Sequence, residues 1–548
     1  MATAVNSTGV LPDTTPALEP ILHYVSASLS YVYHSFLSIP GSSIVIRYVR
    51  SSYQNDPFRT VLEVILLLFA LRTIFQSRTR ADRSTKNYVQ LSESEIDELV
   101  DDWIPEPLVT PLTPAEQAQL NALPIISGAA GPKPKLASTG KTVLNLASYN
   151  FAGLANNEHI KEQAVGALRK YGVGSCGPPG FYGTIDVHMQ LEQDLANFLG
   201  TESAIIYSQA FSTASSVIPA FCKRGDIIVA DRGVSFAIQK GIQISRSIVR
   251  WYDHNDLDSL EEVLIGVEKE MKKKRAPLTR RFIVTEGIFE NDGQMVDLPK
   301  LIELKEKFKY RLLLDESISF GSVGRTGRGL TELYNVPATH IDMLLGSMAT
   351  GLNAAGGFCA GSRVVTEHQR INGTSFVYSA SMPALLAVGA SEAIGVLRDN
   401  PGCLRELVEN VRVVRGVLDR LECIEVPSHP ASPLIHIYVR SGPSQGSTLE
   451  VPTLAARKGG KSKTTSLEPA EPVTFDIETE ERLLQDVVDE ALAQGVLISR
   501  VKRLRGQEAS EPRPSIKLAV SAGLTRKEVE KAAGIIRAAL LKVLGRRR

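Results

Sequence analysis

Between residues 145 and 378, short apolar runs alternate with amphipathic helical stretches, and this alternation most narrows what the chain can fold into. Strands are expected at 204–207, 226–230, 248–252, 282–286, 311–314 and 343–345, each a compact apolar run bounded by polar or turn residues. Among the helical stretches, one places Leu191, Leu195 and Phe198 on a single face. Another opens at Asp297 with Pro299 in its first turn and turns Leu301, Leu304 and Phe308 inward. Such alternation implies an α/β fold, a mainly parallel sheet with helices on both faces. Ligands in that architecture bind beyond the carboxyl ends of the strands. From 379 to 548 the pattern shifts to longer helices (384–397, 404–421, 480–494 and 525–543) with strands at 433–439 and 515–520. This reads as a smaller α+β domain. It is interrupted by a Gly/Ser/Pro/Lys/Thr-rich segment at 441–472 that is expected to be a flexible insertion.

At 548 residues the chain is long enough for two or more domains. Lys+Arg 61 against Asp+Glu 60 leaves a net charge of +1, so nothing global points to nucleic acid. Cys176, Cys222, Cys359, Cys403 and Cys423 form no CxxC pair, which argues against a disulfide framework and against a metal site.

The first 144 residues read differently. Residues 1–56 carry no signal-peptide pattern but include an amphipathic stretch, with Leu22, Val25, Leu29, Val32 and Phe36 at helical spacing. Residues 57–77 are expected to be a transmembrane helix, with Arg59 and Arg72 snorkelling and Glu63 near one end. A helix buried on protein is the alternative. Arg78, Arg80, Arg83 and Lys86 follow the segment, against Arg47, Arg50 and Arg59 before it, which puts the large body in the cytosol and residues 1–56 in the lumen. Residues 78–144 hold an acidic helix, opened by Ser92 and Glu95 at capping-box spacing, and a connector punctuated by Pro105, Pro107 and Pro111.

Four motifs sit in the cytosolic body. Asp315 ends an apolar strand, where an enzyme using pyridoxal phosphate (PLP) places the acid that keeps the pyridine nitrogen protonated. Residues 171–184 form a glycine-rich loop, 208–213 a small-residue turn suited to an anion, and 346–357 a small-residue run containing Thr350. In order and spacing, together with residues 378–383, these motifs resemble the α-oxoamine synthases, PLP-dependent enzymes of the type I transferase fold. Residues 177–184, Asp231-Arg232, 236–241 and 279–284 are more narrowly similar to the first long-chain-base subunit of serine palmitoyltransferase.

The resemblance carries definite implications. Thr350 stands at the Schiff-base lysine position, and a hydroxyl cannot form an imine. Ser235 and Ile318 stand where active members have histidines. No catalytic residue is therefore expected in this chain, and Asp315 would be a vestigial cofactor contact. PLP would be bound covalently by a lysine-bearing second long-chain-base subunit. Pro178, Pro179, Phe181, Tyr182, Thr184, Tyr378, Ser379 and Ser381 would be lent to that partner's site. Lys517 lies near where active members hold the substrate carboxylate with an arginine. The complex would condense L-serine with palmitoyl-CoA to 3-ketosphinganine at the endoplasmic reticulum membrane, aided by a small activating subunit and Orm-type regulators. Two alternatives stand beside this. One is a self-sufficient PLP-dependent acyltransferase using another lysine, such as Lys240. The other is a purely structural membrane scaffold.

Overall fold

The structure is a computed structural model that describes residues 30–31, 34–35, 37–38, 40–75, 91–105, 108–109, 111–274, 279–440, 477–502, 504 and 506–545. The amphipathic positions Leu22 to Phe36, the basic flank 78–86 and the insertion 441–472 lie outside the described residues. The chain divides into two units, Met1–Ala115 and Glu116–Arg548.

In the first unit, helix Ser42–Asn55 follows Gly41, whose φ of 94° is the left-handed turn that starts it. The sequence reading did not anticipate this helix. Asp56 breaks the run, and helix Pro57–Phe75 begins at once with its proline in the first turn. Thr60 Oγ1 donates to Ser52 Oγ at 3.0 Å and ties the two helices. Helix Pro57–Phe75 exposes apolar side chains all round, including Leu62, Ile65, Leu67 and Phe69. Its charges are Arg59, Glu63 and Arg72, the first two paired at 3.0 Å. No helix among the described residues is long and apolar enough to cross a membrane. Helix Glu93–Asp102 has the expected capping box, with Glu95 N–H donating to Ser92 Oγ and Ser92 N–H donating to Glu95 Oε2.

The second unit is built on a seven-stranded sheet: β1 Ser203–Tyr207, β2 Ile227–Asp231, β3 Ile248–Tyr252, β4 Arg281–Glu286, β5 Arg311–Asp315, β6 Met343–Ser347 and β7 Gly357–Gly361. Their order across the sheet is β1-β7-β6-β5-β4-β2-β3. Strands β3, β2, β4, β5 and β6 run parallel, while β7 runs antiparallel to both its neighbours, so the sheet is mixed and mostly parallel. Near-complete burial of β2, β4, β5 and β6 explains their unbroken apolar runs. Leu191 and Leu195 are fully buried on helix Asp186–Leu199, and Leu301 and Leu304 on helix Leu298–Phe308; Phe308 is only half-buried. Strand β7 was not anticipated because its sequence, Gly-Phe-Cys-Ala-Gly, reads as a loop.

A four-stranded antiparallel sheet, ordered Ile424–Glu425, Leu434–Val439, Ile516–Ala519 and Ser499–Arg500, carries helices Gly402–Leu418, Ile477–Ala493 and Arg526–Leu544. Part of the expected connector belongs to this body. Ile126–Ser127 pairs with Lys135–Leu136, and Leu144–Asn145 runs parallel to Val496–Leu497. The loop after β4 joins the two sheets: Ser428 Oγ donates to Asp292 O at 2.5 Å and His429 N–H to Gly293 O at 3.0 Å.

Candidate functional site

Four parallel strands end at one edge of the large sheet, and their last residues are Asp231, Glu286, Asp315 and Ser347. A cavity of about 180 Å³ opens beyond them. Its walls include Ser235, Glu286, Glu290, Asp315, Ile318 and Thr350, with Phe211 and Thr213 from the small-residue turn. The structure thus brings Asp315, Ser235, Ile318 and Thr350 together, although 115 residues separate Ser235 from Thr350 in the chain (350 − 235).

Strand register sets the acid pair. Glu286 and Asp315 are neighbours across β4 and β5, and both are buried. Burial raises the pKa of each, and for Glu286 the charge of Asp315 adds to the effect. Glu286 is held from two sides: Ser235 N–H donates to Oε1 at 2.5 Å and Glu290 N–H to Oε2 at 2.9 Å. Asp315 accepts from Ser317 N–H at 2.8 Å. Glu286 and Glu290 are cavity residues that the sequence reading missed. Glu286 was legible, because it ends the strand beside the one that Asp315 ends.

Thr350 lies on the turn after β6. Its hydroxyl donates to Ser317 O at 2.5 Å, and its N–H donates to Ser347 Oγ at 3.2 Å. Small residues around it permit close packing. A Cβ at Gly351 would lie 2.4 Å from Phe320 O, and one at Gly357 2.4 Å from Thr213 Oγ1. Among the described residues that line the cavity there is no lysine, arginine or histidine. Lys240 is elsewhere: its ammonium stands over the Phe236 ring at 4.8 Å and donates to Gln243 Oε1 and Gln507 O.

Beside the cavity, His254 bridges Asp231 at 2.7 Å and Asp292 at 2.9 Å and packs edge-on against Phe289. Burial opposes its charge, but hydrogen bonds to the two carboxylates outweigh that and raise its pKa to about 10. Asp231 also accepts from the N–H groups of Gly233 and Asn255.

The glycine loop and the segment beginning at Tyr378 meet at a second place. Ser381 N–H donates to Gly177 O at 2.9 Å, and Ser175 Oγ donates to Ser381 O at 2.6 Å. Pro179, Thr184, Ser379 and Ser381 line a small cleft there, with His188, Glu192 and Arg370. His188 Nδ1 accepts from Ile185 N–H, so Nε2 carries the proton it donates to Met382 O at 2.6 Å. The loop Pro179–Gly183 closes as a wide turn, Gly183 N–H to Pro178 O. Phe181, Tyr182 and Tyr378 stand exposed, and Tyr182 holds a left-handed φ of 64°. Lys517 is on strand Ile516–Ala519 and reaches Tyr149 OH at 2.8 Å.

A buried acid pair at the carboxyl ends of a mostly parallel sheet, beneath a small-residue turn, defines the class: residues 141–536 match the aminotransferase class I and II family. The chain is 36% identical over 555 residues to serine palmitoyltransferase 1 of Saccharomyces cerevisiae, covering 97% of this chain and 98% of that one. It is 44% identical over 370 residues to long chain base biosynthesis protein 1 of Arabidopsis thaliana, covering 67% and 75%. A solved structure described as SPT with a PLP internal aldimine superposes with a TM-score of 0.64 at 19% identity, covering 82% of this chain and 98% of that one. The chain belongs to the serine palmitoyltransferase 1 family.

Proposed function

We propose that this chain is the non-catalytic subunit of a heteromeric serine palmitoyltransferase, supporting condensation of L-serine with palmitoyl-CoA to 3-ketosphinganine in sphingolipid long-chain base synthesis. The observation that carries this reading is the cavity itself. It keeps the fold's acid at Asp315 but offers Thr350, Ser235 and Ile318 where a Schiff-base amine and imidazoles would serve. PLP supplies an electron sink for a carbanion when bound. The residues here do not fit its covalent attachment: none of the described lining residues is an amine that could form an imine. A lysine-bearing second subunit is the natural holder of the cofactor. Pro178, Pro179, Phe181, Tyr182, Thr184, Tyr378, Ser379 and Ser381 then serve that subunit's site. Exposure of Phe181, Tyr182 and Tyr378 supports this, because large apolar side chains at a free surface are available to a neighbour.

We propose further that helix Pro57–Phe75 anchors the complex in the endoplasmic reticulum membrane with the second unit cytosolic. Apolar side chains around its whole circumference, and the Arg59–Glu63 pairing, support contact of this helix with lipid. A small activating subunit and Orm-type regulators complete the assembly in this reading. Expression of the chain alone, of a lysine-bearing partner alone, and of both, followed by assay of 3-ketosphinganine, tests the function. Alkaline extraction with and without residues 57–77 tests the anchor; release of the intact chain into the soluble fraction counts against it.

A further inference from the structure

Glu290 stands in an unusual place. It lines the cavity alongside Glu286 and Asp315, and its charge works against ionisation of both. A third carboxylate in such company needs a compensating partner. That partner is Tyr149, with Lys517 of the smaller sheet behind it. Tyr149 OH donates to Glu290 Oε1 at 3.2 Å and accepts from Lys517 Nζ at 2.8 Å. The Lys517 ammonium also lies 4.8 Å from the centre of the Tyr149 ring. Tyr149 OH is the only hydrogen-bond acceptor of that ammonium among the described residues. The half-buried lysine is therefore balanced by Glu290 at one remove, through the phenol. Burial depresses the Lys517 pKa, and the Glu290 charge is what opposes that.

A phenol that donates to a carboxylate while an ammonium donates to the phenol is the chemistry of a carboxylate-binding site, the cation strengthening the phenol as a donor. Its occupant here is a side chain of the same protein, carried on the loop after β4 and braced by Glu290 N–H donating to Glu286. We propose that Glu290 is an internal ligand: its carboxylate fills a carboxylate site built by Tyr149 and Lys517, and so closes the cavity to free carboxylates, the α-carboxylate of an amino acid included. This concerns binding at one cavity. It stands whichever chain of a complex performs the chemistry, so its failure would leave the proposed function untouched.

Chemical rescue tests it on the full-length chain. Glu290→Ala leaves a hole the size of a carboxylate. Acetate should raise the unfolding temperature of that variant saturably, chloride at equal ionic strength should not, and the native chain should not respond to acetate. Adding Tyr149→Phe to Glu290→Ala should weaken acetate roughly tenfold, the loss of a hydrogen bond to a charged group, and adding Lys517→Met should weaken it by removing the cation behind that phenol. Should Glu290→Ala not accumulate folded, Glu290→Ser carries the same test. Independently, Glu290→Gln keeps the volume but strands the lysine. It should unfold at a lower temperature than the native chain, and Lys517→Met should recover part of that loss. A rescue indifferent to Lys517 and Tyr149, an equal acetate response in the native chain, or a Glu290→Gln variant as stable as the native chain would each overturn the proposal.

Discussion

Replacing His254 with alanine should be among the most damaging single changes near the cavity, and the structure says how large the effect is. The imidazole joins Asp231, which is fully buried, to Asp292 on the loop after β4. Removing one member of a buried charge cluster costs about 3–5 kcal/mol. Asp231 keeps two backbone N–H donors, from Gly233 and Asn255, which argues for the lower end. Loss of the edge-on contact with Phe289 adds about 0.5–1.5 kcal/mol. An overall loss of about 4 kcal/mol follows from the two together. The pH dependence has a definite sign. A histidine raised from 6.5 to about 10 on folding contributes stability that is complete below pH 6.5 and is lost as pH rises toward 10. The gap between the native chain and His254→Ala should therefore be widest below pH 6.5 and should close toward pH 10. Urea unfolding across that range measures it. A loss under about 1 kcal/mol, the size of an ordinary surface ion pair, or a gap that does not change with pH, would refute the reasoning.

Three other expectations concern different parts of the molecule. Gly346→Ala puts a Cβ 2.3 Å from the Phe358 ring, so it should cost about 1–3 kcal/mol of overpacking, read as a lowered unfolding midpoint. Thr350→Lys should not create a self-sufficient enzyme, because Ser235, Ile318 and three carboxylates still surround the new amine; turnover by that variant without a partner would contradict this. Phe181→Ala with Tyr182→Ala should change the stability of the chain by no more than about 0.5 kcal/mol each, as exposed side chains do, while lowering the activity of the assembled complex. Unchanged kinetic constants in the complex would remove these residues from the shared site.

Much of the architecture was readable because buried parallel strands need apolar residues on both faces, which leaves blunt runs such as 282–286 and 311–314. Strand β7 escaped for the opposite reason. Gly357 lies against the helix beginning at Ala210, where a Cβ would stand 2.4 Å from Thr213 Oγ1, so packing, and not propensity, makes it a strand. Helix Ser42–Asn55 escaped because its apolar residues face outward in this unit and its start depends on the positive φ of Gly41. At the site, single-residue departures such as Thr350 were visible through the resemblance to the α-oxoamine synthases. Glu290, Tyr149 and Lys517 were not visible as a group, since 141 residues separate Tyr149 from Glu290 and 368 separate it from Lys517. Only the docking of the small sheet onto the loop after β4 brings them together.

The most direct test of the proposed division of labour is 3-ketosphinganine formation from L-serine and palmitoyl-CoA by the purified chain, by a lysine-bearing partner, and by the two co-purified, with borohydride reduction to map where pyridoxal phosphate is attached. Turnover only in the co-purified complex, with every pyridoxyl-lysine in the partner, is the expected result. Turnover by this chain alone, or a pyridoxyl-lysine at Lys240 or elsewhere in it, would contradict the central claim.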